Sequence, residues 1–346
     1  MSRRVVTMIT GAVLLLALAV GGSQLPVPYA ELGPGPTLDT LGVDQGGNEI
    51  IRLTGHPESK TKGHLNLTTV SVRDQLDLLE ALRGWLDRDR AVVPREEIFP
   101  PGQTEQQTNE KNTRDFVASQ DSAELAALAY LHLTKVVVSS VESGSPSYQK
   151  LAPKDTITAV QGRKVGDVAG LGAVLRETNP GTTVRVDYDR AGRAGTTEIT
   201  TVSGKDDSGR TRAVLGVTVA MQSTAPFKVK IGLDDRIGGP SAGLMFALGI
   251  LEKVGPEDLT GGRFIAGTGQ IDTYGVVNPI GGIPLKLIAA RSKGATVFLV
   301  PAGNCAEAVR GPPAGLQLVK VDSLSSAVDA LDAIKAGRPA PACTAG

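Results

Sequence analysis

DRIGGPSAGLMFALGIL, residues 235–251, sets a Gly-Gly-Pro-Ser-Ala-Gly run directly ahead of an apolar stretch. Proline suits the first turn of a helix, where its missing N–H breaks no bond, so Pro240 marks a helix start. Leu244, Ala247, Leu248 and Leu251 then recur at helical spacing until Gly255-Pro256 ends the run. Ser241 therefore stands at a helix N-terminus. Unpaired N–H groups and the positive end of the helix dipole favour an ionising hydroxyl and a developing oxyanion there, with Gly239, Ser241 and Ala242 supplying the backbone. An isolated Gly-Pro-Ser is also an ordinary capped turn, so the serine needs a partner before it means more.

A second helix start supplies one. In Gly281-Gly282-Ile283-Pro284-Leu285-Lys286, Pro284 again suits the first turn, and Leu285, Ile288 and Ala289 supply a face for burial. Lys286 then lies near a positive dipole end, between Leu285 and Leu287, with no charged residue in 273–285. Each of these lowers a lysine pKa. A neutral amine is what a serine nucleophile requires where no histidine serves, and Ser-Lys pairs are a known variant of the triad. Taken alone, Lys286 also reads as a surface lysine with a snorkelling stem.

Other chemistries find less support. The 346 residues carry 36 basic and 36 acidic side chains and are 41% hydrophobic, which argues against disorder and against a nucleic-acid binder working by a basic surface. His56 and His64 lie in a polar N-terminal segment and His132 at the apolar end of a helix, none beside a candidate nucleophile, and there is no GxSxG elbow. HExxH and GxxxxGK[ST] are absent too, so neither a metal nor a nucleotide cofactor is expected. Cys305 and Cys343 lack zinc-ligand spacing; they could pair with each other or remain two thiols. Asn304 is read as a helix cap with Glu307 completing a capping box, which makes Cys305 structural.

Working outward, residues 5–25 carry no charge after Arg3 and Arg4 and would span roughly 31 Å as a helix. They read as a single membrane crossing with the arginines in the cytoplasm and the rest outside, or as a cleaved signal peptide ending near Ala30. Residues 31–48 are rich in Gly, Pro and Asp and read as a linker, with folded structure from Glu49. A small α/β segment follows, then a polar, proline-marked stretch, 94–114, reads as a surface loop. Asp121 or Ser122 is expected to cap a helix through Leu125, Leu128 and Leu131, before a β-rich run. From 207 to 336 short apolar strands alternate with helices, as in an α/β unit.

Two resemblances organise these pieces. The run SGSPSYQKLAPKDTITAVQGRKVGD with NPGTTVRVDYDRAG, within residues 141–202, resembles a PDZ domain: a Ser-Pro turn, a Leu-x-x-x-Asp-x-Ile strand, a Gln-Gly turn and Pro-Gly before a Val-x-Val strand. That resemblance implies strand addition of a peptide beside a carboxylate-binding loop, placed here at Tyr130, Leu131, His132 and Leu133, although His132 stands where the family prefers glycine. Tyr130 and Leu131 read equally as core residues at a helix end. Residues 229–300, with DRIGGPSAGLMFALGIL and FIAGTGQIDTYGVVNPIGGIPLKLIAARSKGATVFLVP, resemble the proteolytic domain of Lon-type serine proteases. The resemblance implies Ser241 as nucleophile, Lys286 as general base and Thr268 as the residue holding the lysine. Gln270, Leu285 and Gly238 depart from the family pattern, the first two by removing negative charge near Lys286.

The expected architecture is α+β: an N-terminal transmembrane anchor over 1–30, a linker and small α/β segment over 31–118, a PDZ-like domain over 119–205 and a Lon-type α/β proteolytic domain over 206–346. The chain resembles the membrane-anchored PDZ-Lon proteases of bacteria. That implies an ATP-independent serine endopeptidase, single-pass in the cell membrane with its catalytic part outside, acting on unfolded or exposed segments of exported proteins. Its implied partners are protein or peptide substrates, the membrane and a possible hexameric ring of copies, but no nucleic acid. Two rival expectations are a non-catalytic PDZ-mediated binding or assembly factor on a Lon-like scaffold, and a protease kept latent by the loop 233–238 until peptide binds.

Overall fold

The computed structural model describes residues 2–23, 25–44, 46–57, 59, 61–205, 209–233, 238–255 and 258–345. The N-terminal part comprises α1 (Arg3–Ser23), β1 (Tyr29–Asp39), β2 (Ile51–Thr54), β3 (His64–Arg73), α2 (Leu78–Leu86), β4 (Ala91–Pro94), α3 (Arg95–Ile98) and α4 (Glu105–Tyr130). The middle comprises β5 (Thr134–Val141), β6 (Thr156–Val160), β7 (Arg163–Lys164), α5 (Val168–Arg176), β8 (Thr183–Arg190), β9 (Arg193–Thr200), β10 (Val202–Lys205), β11 (Thr211–Val214) and β12 (Val217–Ser223). The C-terminal part adds β13 (Lys228–Ile231), α6 (Gly243–Val254), β14 (Phe264–Gly267), β15 (Gln270–Ile271), β16 (Val277–Asn278), α7 (Ile283–Ser292), β17 (Val297–Pro301), α8 (Cys305–Ala308), β18 (Gln317–Val321) and α9 (Leu324–Lys335).

Period-two alternation decides the main sheet, whose order is β18-β17-β14-β3-β1-β4. Ile265, Val297, Leu299, Val319 and Val321 point to one face, where they pack with α6, α4 and α9; Ala266, Phe298 and Val300 point to the other, against α7 and α8. Strands β18, β17, β14 and β3 run parallel and are covered on both sides, as parallel sheets require. Residues 243–253 of α6 are buried all round, not along one stripe, so this helix is the centre of the larger core. The two helix starts singled out in the sequence thus approach from opposite faces: α6 begins beside Ser241 on one, and α7 carries Lys286 on the other.

A second sheet, β12-β5-β6-β8-β9 with β7 on β6, surrounds its own core of Val136, Val138, Ile157, Val160, Val184, Val186 and Ile199. Strand β12 lies at its edge and α5 packs beside it.

Several expectations require correction. No helix among the described residues is long and apolar enough to cross a membrane, so the anchor, the fold class built on it and the single-pass location with the catalytic part outside do not stand. Residues 5–25 do not make up one helix: α1 ends at Ser23 and takes in the charged Arg3 and Arg4 and the polar Thr7 and Thr10.

Residues 31–39 of the stretch read as a linker belong to β1, paired along β3 in the main sheet. Its Pro34 and Pro36 fall where the register shifts between Pro34 and Thr37, and Thr69 Oγ1 donates to the Pro36 carbonyl there at 2.7 Å. A bulge is one of the few places in a sheet that tolerates proline, which is why composition alone misplaced this segment. Residues 94–114 are likewise not a surface loop. They contain α3 and the first turns of α4, the latter started by a capping box in which Thr104 accepts from the Gln107 N–H and Gln107 from the Thr104 N–H. Helix α4 crosses the expected boundary at 119, and no new helix starts at Asp121 or Ser122.

Candidate active site

Ser241 lies in a 3-10 turn, Pro240–Ala242, that opens into α6. Its carbonyl accepts hydrogen bonds from the Gly269 N–H at 2.8 Å and from Thr268 Oγ1 at 3.0 Å, while the Gly269 carbonyl accepts from the Leu244 N–H at 3.1 Å. The segment that follows β14 is thereby clamped to the start of α6. Thr268 is fully buried, and its hydroxyl proton is committed to the Ser241 carbonyl, so its lone pairs face the lysine.

Lys286 reaches this point from the first turns of α7. Its Nζ lies 2.8 Å from Ser241 Oγ and 2.9 Å from Thr268 Oγ1. Only 3% of the residue is exposed, and burial lowers its pKa from 10.5 to about 7. Removal from water is the whole cause: Leu285 beside it is buried and Gln270 carries no charge. A large share of the amine is then neutral near pH 7 and able to accept the serine proton.

Asn304 holds the approach to α7. Its Oδ1 accepts from the Ile280 N–H at 2.9 Å and its Nδ2 donates to the Ile280 carbonyl at 2.8 Å, which fastens the Pro279-Ile280-Gly281-Gly282 turn. The expected capping box is therefore corrected: Asn304 makes no side-chain cap. Cys305 is disulfide-bonded to Cys343. The tail around Cys343 pairs Ala342 with Val319 and so lies along the outer edge of β18.

The backbone groups expected to hold an oxyanion are not equivalent. The Gly239 N–H is engaged by the Asn112 carbonyl at 3.0 Å, which leaves the start of the 3-10 turn at Ser241 and Ala242. Residues 234–237 of the loop invoked for a latent enzyme lie outside the described residues. None of the histidines is a partner of Ser241 or Lys286: His64 Nδ1 meets Asp39 at 2.6 Å and His56 Nδ1 meets the Pro57 carbonyl at 2.7 Å.

Tyr130, Leu131, His132 and Leu133 form the turn from α4 into β5, which is an inner strand of its sheet beside β12. The Leu133 carbonyl accepts from Thr224 at 2.8 Å, its N–H donates to Leu128 at 2.7 Å, and Leu131 packs against the larger core. The edge next to β5 belongs to β12, which follows Gly216 at φ 72°. A Cβ at Gly216 would come within 2.5 Å of Ser145 Cβ, and Ser147 Oγ donates to the neighbouring Leu215 carbonyl, so the Ser-Pro-Ser turn holds the loop leading to β12. Half-buried Val217 and Val219 alternate along that strand with exposed Thr218 and Ala220, a pattern the sequence reading passed over. Where β12 ends, a cavity of about 570 Å³ lies between the two cores, bounded by Ala169, Met221, His132, Tyr130, Tyr274 and Leu324.

Residues 105–201 match the PDZ domain family, and residues 236–333 match the Lon protease (S16) C-terminal proteolytic domain. The chain thus carries a segment like the PDZ domain and a segment like the Lon-type proteolytic domain, and Ser241, Thr268 and Lys286 all lie within the second. Among relatives, Lon protease 2 of Bacillus subtilis (strain 168) is 35% identical over 95 residues, which is 27% of this chain and 16% of that protein. Lon protease of Phenylobacterium zucineum (strain HLK1) is 32% identical over 121 residues, 34% of this chain and 15% of that protein. The chain thus spans less than a fifth of the length of either relative. Among solved structures, the PDZ domain of the SdrC-like protein from Listeria monocytogenes is 23% identical, covering 24% of this chain and 85% of that one with a TM-score of 0.22. Its counterpart from Listeria innocua is 21% identical, covering 25% and 92%, also at 0.22.

Proposed function

We propose that the chain is a serine endopeptidase that works by a Ser241–Lys286 dyad, without nucleotide, on peptides and on unfolded or exposed segments of proteins. The observation that carries this reading is the 2.8 Å approach of a buried, charge-unpartnered Lys286 Nζ to Ser241 Oγ. Lys286 Nζ takes the hydroxyl proton as Ser241 Oγ bonds to the scissile carbonyl carbon. The oxyanion is held by backbone N–H groups at the start of the 3-10 turn. On collapse the C–N bond breaks and the Lys286 ammonium gives its proton to the leaving amine. Water then gives a proton to Lys286 and attacks the ester, and the proton returns to Ser241 as the acid leaves. Thr268, held by the Ser241 carbonyl, keeps the amine pointed at Oγ.

Independence from nucleotide is supported by the lack of any phosphate-cradling GxxxxGK[ST] in these 346 residues. Delivery of substrate is assigned to β12. An extended peptide adding to its outer edge, between that strand and α5, would lead at the Met221 end into the cavity against Tyr274.

The test is hydrolysis of unfolded casein by the full chain without nucleotide. Ser241→Ala is expected to abolish cleavage together with labelling by a fluorophosphonate, and cleavage retained in that variant would sink the assignment. Thr268→Val keeps the side-chain volume but removes both hydroxyl contacts. It is expected to lower kcat/KM by about tenfold to a hundredfold, the equivalent of one or two hydrogen bonds. A change of less than twofold would show that the lysine is positioned without it.

A further inference from the structure

The nucleophile is braced from outside the proteolytic match. Helix α4 falls within residues 105–201, yet Asn112, Phe116, Ser119 and Ala123 fall on one face at helical spacing, directed at the start of α6. The Asn112 carbonyl accepts the Gly239 N–H at 3.0 Å, and Ser119 Oγ donates to the Pro240 carbonyl at 3.0 Å. Between them Phe116 meets Phe246 edge to face, with ring centroids 5.8 Å apart. The approach is close enough to dictate two glycines. A Cβ at Gly238 would lie 2.9 Å from Asn112 Cβ, and one at Gly243 would lie 2.8 Å from Ser119 Oγ and 2.9 Å from Ile271 Cγ2. A larger residue at 238 would force this helix or the loop to shift.

The Ser119 contact bears on catalysis because a peptide unit is planar and trans. The Pro240 carbonyl and the Ser241 N–H belong to one unit and point in opposite directions. Fastening that oxygen to α4 therefore turns the Ser241 N–H away from the helix and prevents a flip that would exchange donor for acceptor.

We propose that α4 is the positioning element of the oxyanion site, with Ser119 and the Asn112 carbonyl locking the two peptide planes that lead to Ser241. The inference rests on the reading of Ser241 as the nucleophile. Ser119 touches no reacting atom and acts through the Pro240–Ser241 peptide.

The experiment compares full-chain wild type, Ser119→Ala and Ser119→Thr. Three quantities are measured: casein hydrolysis, inhibition by a peptide boronate, and amide hydrogen exchange over 238–243. Ser119→Ala is expected to lower kcat about tenfold to a hundredfold and to weaken the boronate, which mimics the oxyanion, by the same factor. KM and the basic limb of the pH profile stay within twofold, because Lys286 is untouched. Exchange over 238–243 rises, and Ser119→Thr, which keeps the hydroxyl, restores all three. A boronate affinity and kcat within twofold of wild type in Ser119→Ala, or no rescue by threonine, would overturn the proposal. Exchange needs no activity. Unchanged exchange overturns the brace, whereas raised exchange in a chain whose wild type takes neither boronate nor fluorophosphonate overturns the catalytic reading and leaves the brace standing.

Discussion

Lys286→Met is expected to abolish peptide cleavage while making the protein more stable at neutral pH. The loss should be about 10⁴-fold or more, since no other base adjoins Ser241 Oγ among the described residues and members of a nucleophile–base pair act as a unit. The stability gain follows from the lowered pKa. Between about pH 7 and 10.5 the unfolded chain binds a proton at this site that the native chain does not, so wild-type stability rises with pH through that window. Below it the burial cost is fully present. At 1.36 kcal/mol per pH unit, that cost is of order 4–5 kcal/mol. Methionine fills similar space without charge but leaves Thr268 Oγ1 short of one partner, which offsets about 1 kcal/mol. Urea unfolding at pH 6, 8 and 10 should therefore give a variant about 3 kcal/mol more stable at pH 6, with the difference fading towards pH 10.5. A pH-independent difference would mean that the lysine is not desolvated. Retained cleavage would mean that it is not the base. For wild type the same pKa predicts a kcat/KM that climbs along a basic limb with its midpoint near pH 7.

A chain beginning at residue 206, the domain start expected from sequence, is predicted not to fold. Strand β3 sits between β1 and β14, and its Leu65 and Leu67 are fully buried in the core around α6 together with Ile50, Ile51 and Phe116. Removing residues 1–205 deletes all five and bares one edge of β14. At about 1.5–3 kcal/mol for each large apolar side chain, the loss is roughly 8–15 kcal/mol, as much as the whole stability of an ordinary domain. Residues 25–346, which lose only α1, should melt in one cooperative transition. Residues 206–346 should bind a hydrophobic dye and show no transition. Cooperative melting of the shorter chain would show that β3 and α4 are dispensable to the core.

The contrast between those two chains marks how far the sequence could be read. Both helix starts were legible because a proline at a first turn, a serine beside it and an apolar repeat after it are local signals, each set by sterics or by unpaired N–H groups within one turn. The lysine's neutral tendency was legible for the same reason: the uncharged stretch before it is visible in the chain itself. The second core around β5, β6, β8 and β9 followed from turn residues and alternation.

What the sequence by itself determined, then, is the pair of helix-borne side chains and the kinds of element that carry them. Tertiary structure alone decided their 2.8 Å approach from opposite faces of the sheet, the insertion of β1 and β3 beside β14, and the edge position of β12. It also decided the hold of Asn304 on Ile280 and of Ser119 on Pro240. Those contacts join residues from 24 to about 200 positions apart, and a side chain that meets a distant backbone group leaves no period in its own segment. The proline-marked β1 and polar α4 were misplaced because composition reports what water would accept, whereas register and burial depend on the partner that arrives from elsewhere in the chain.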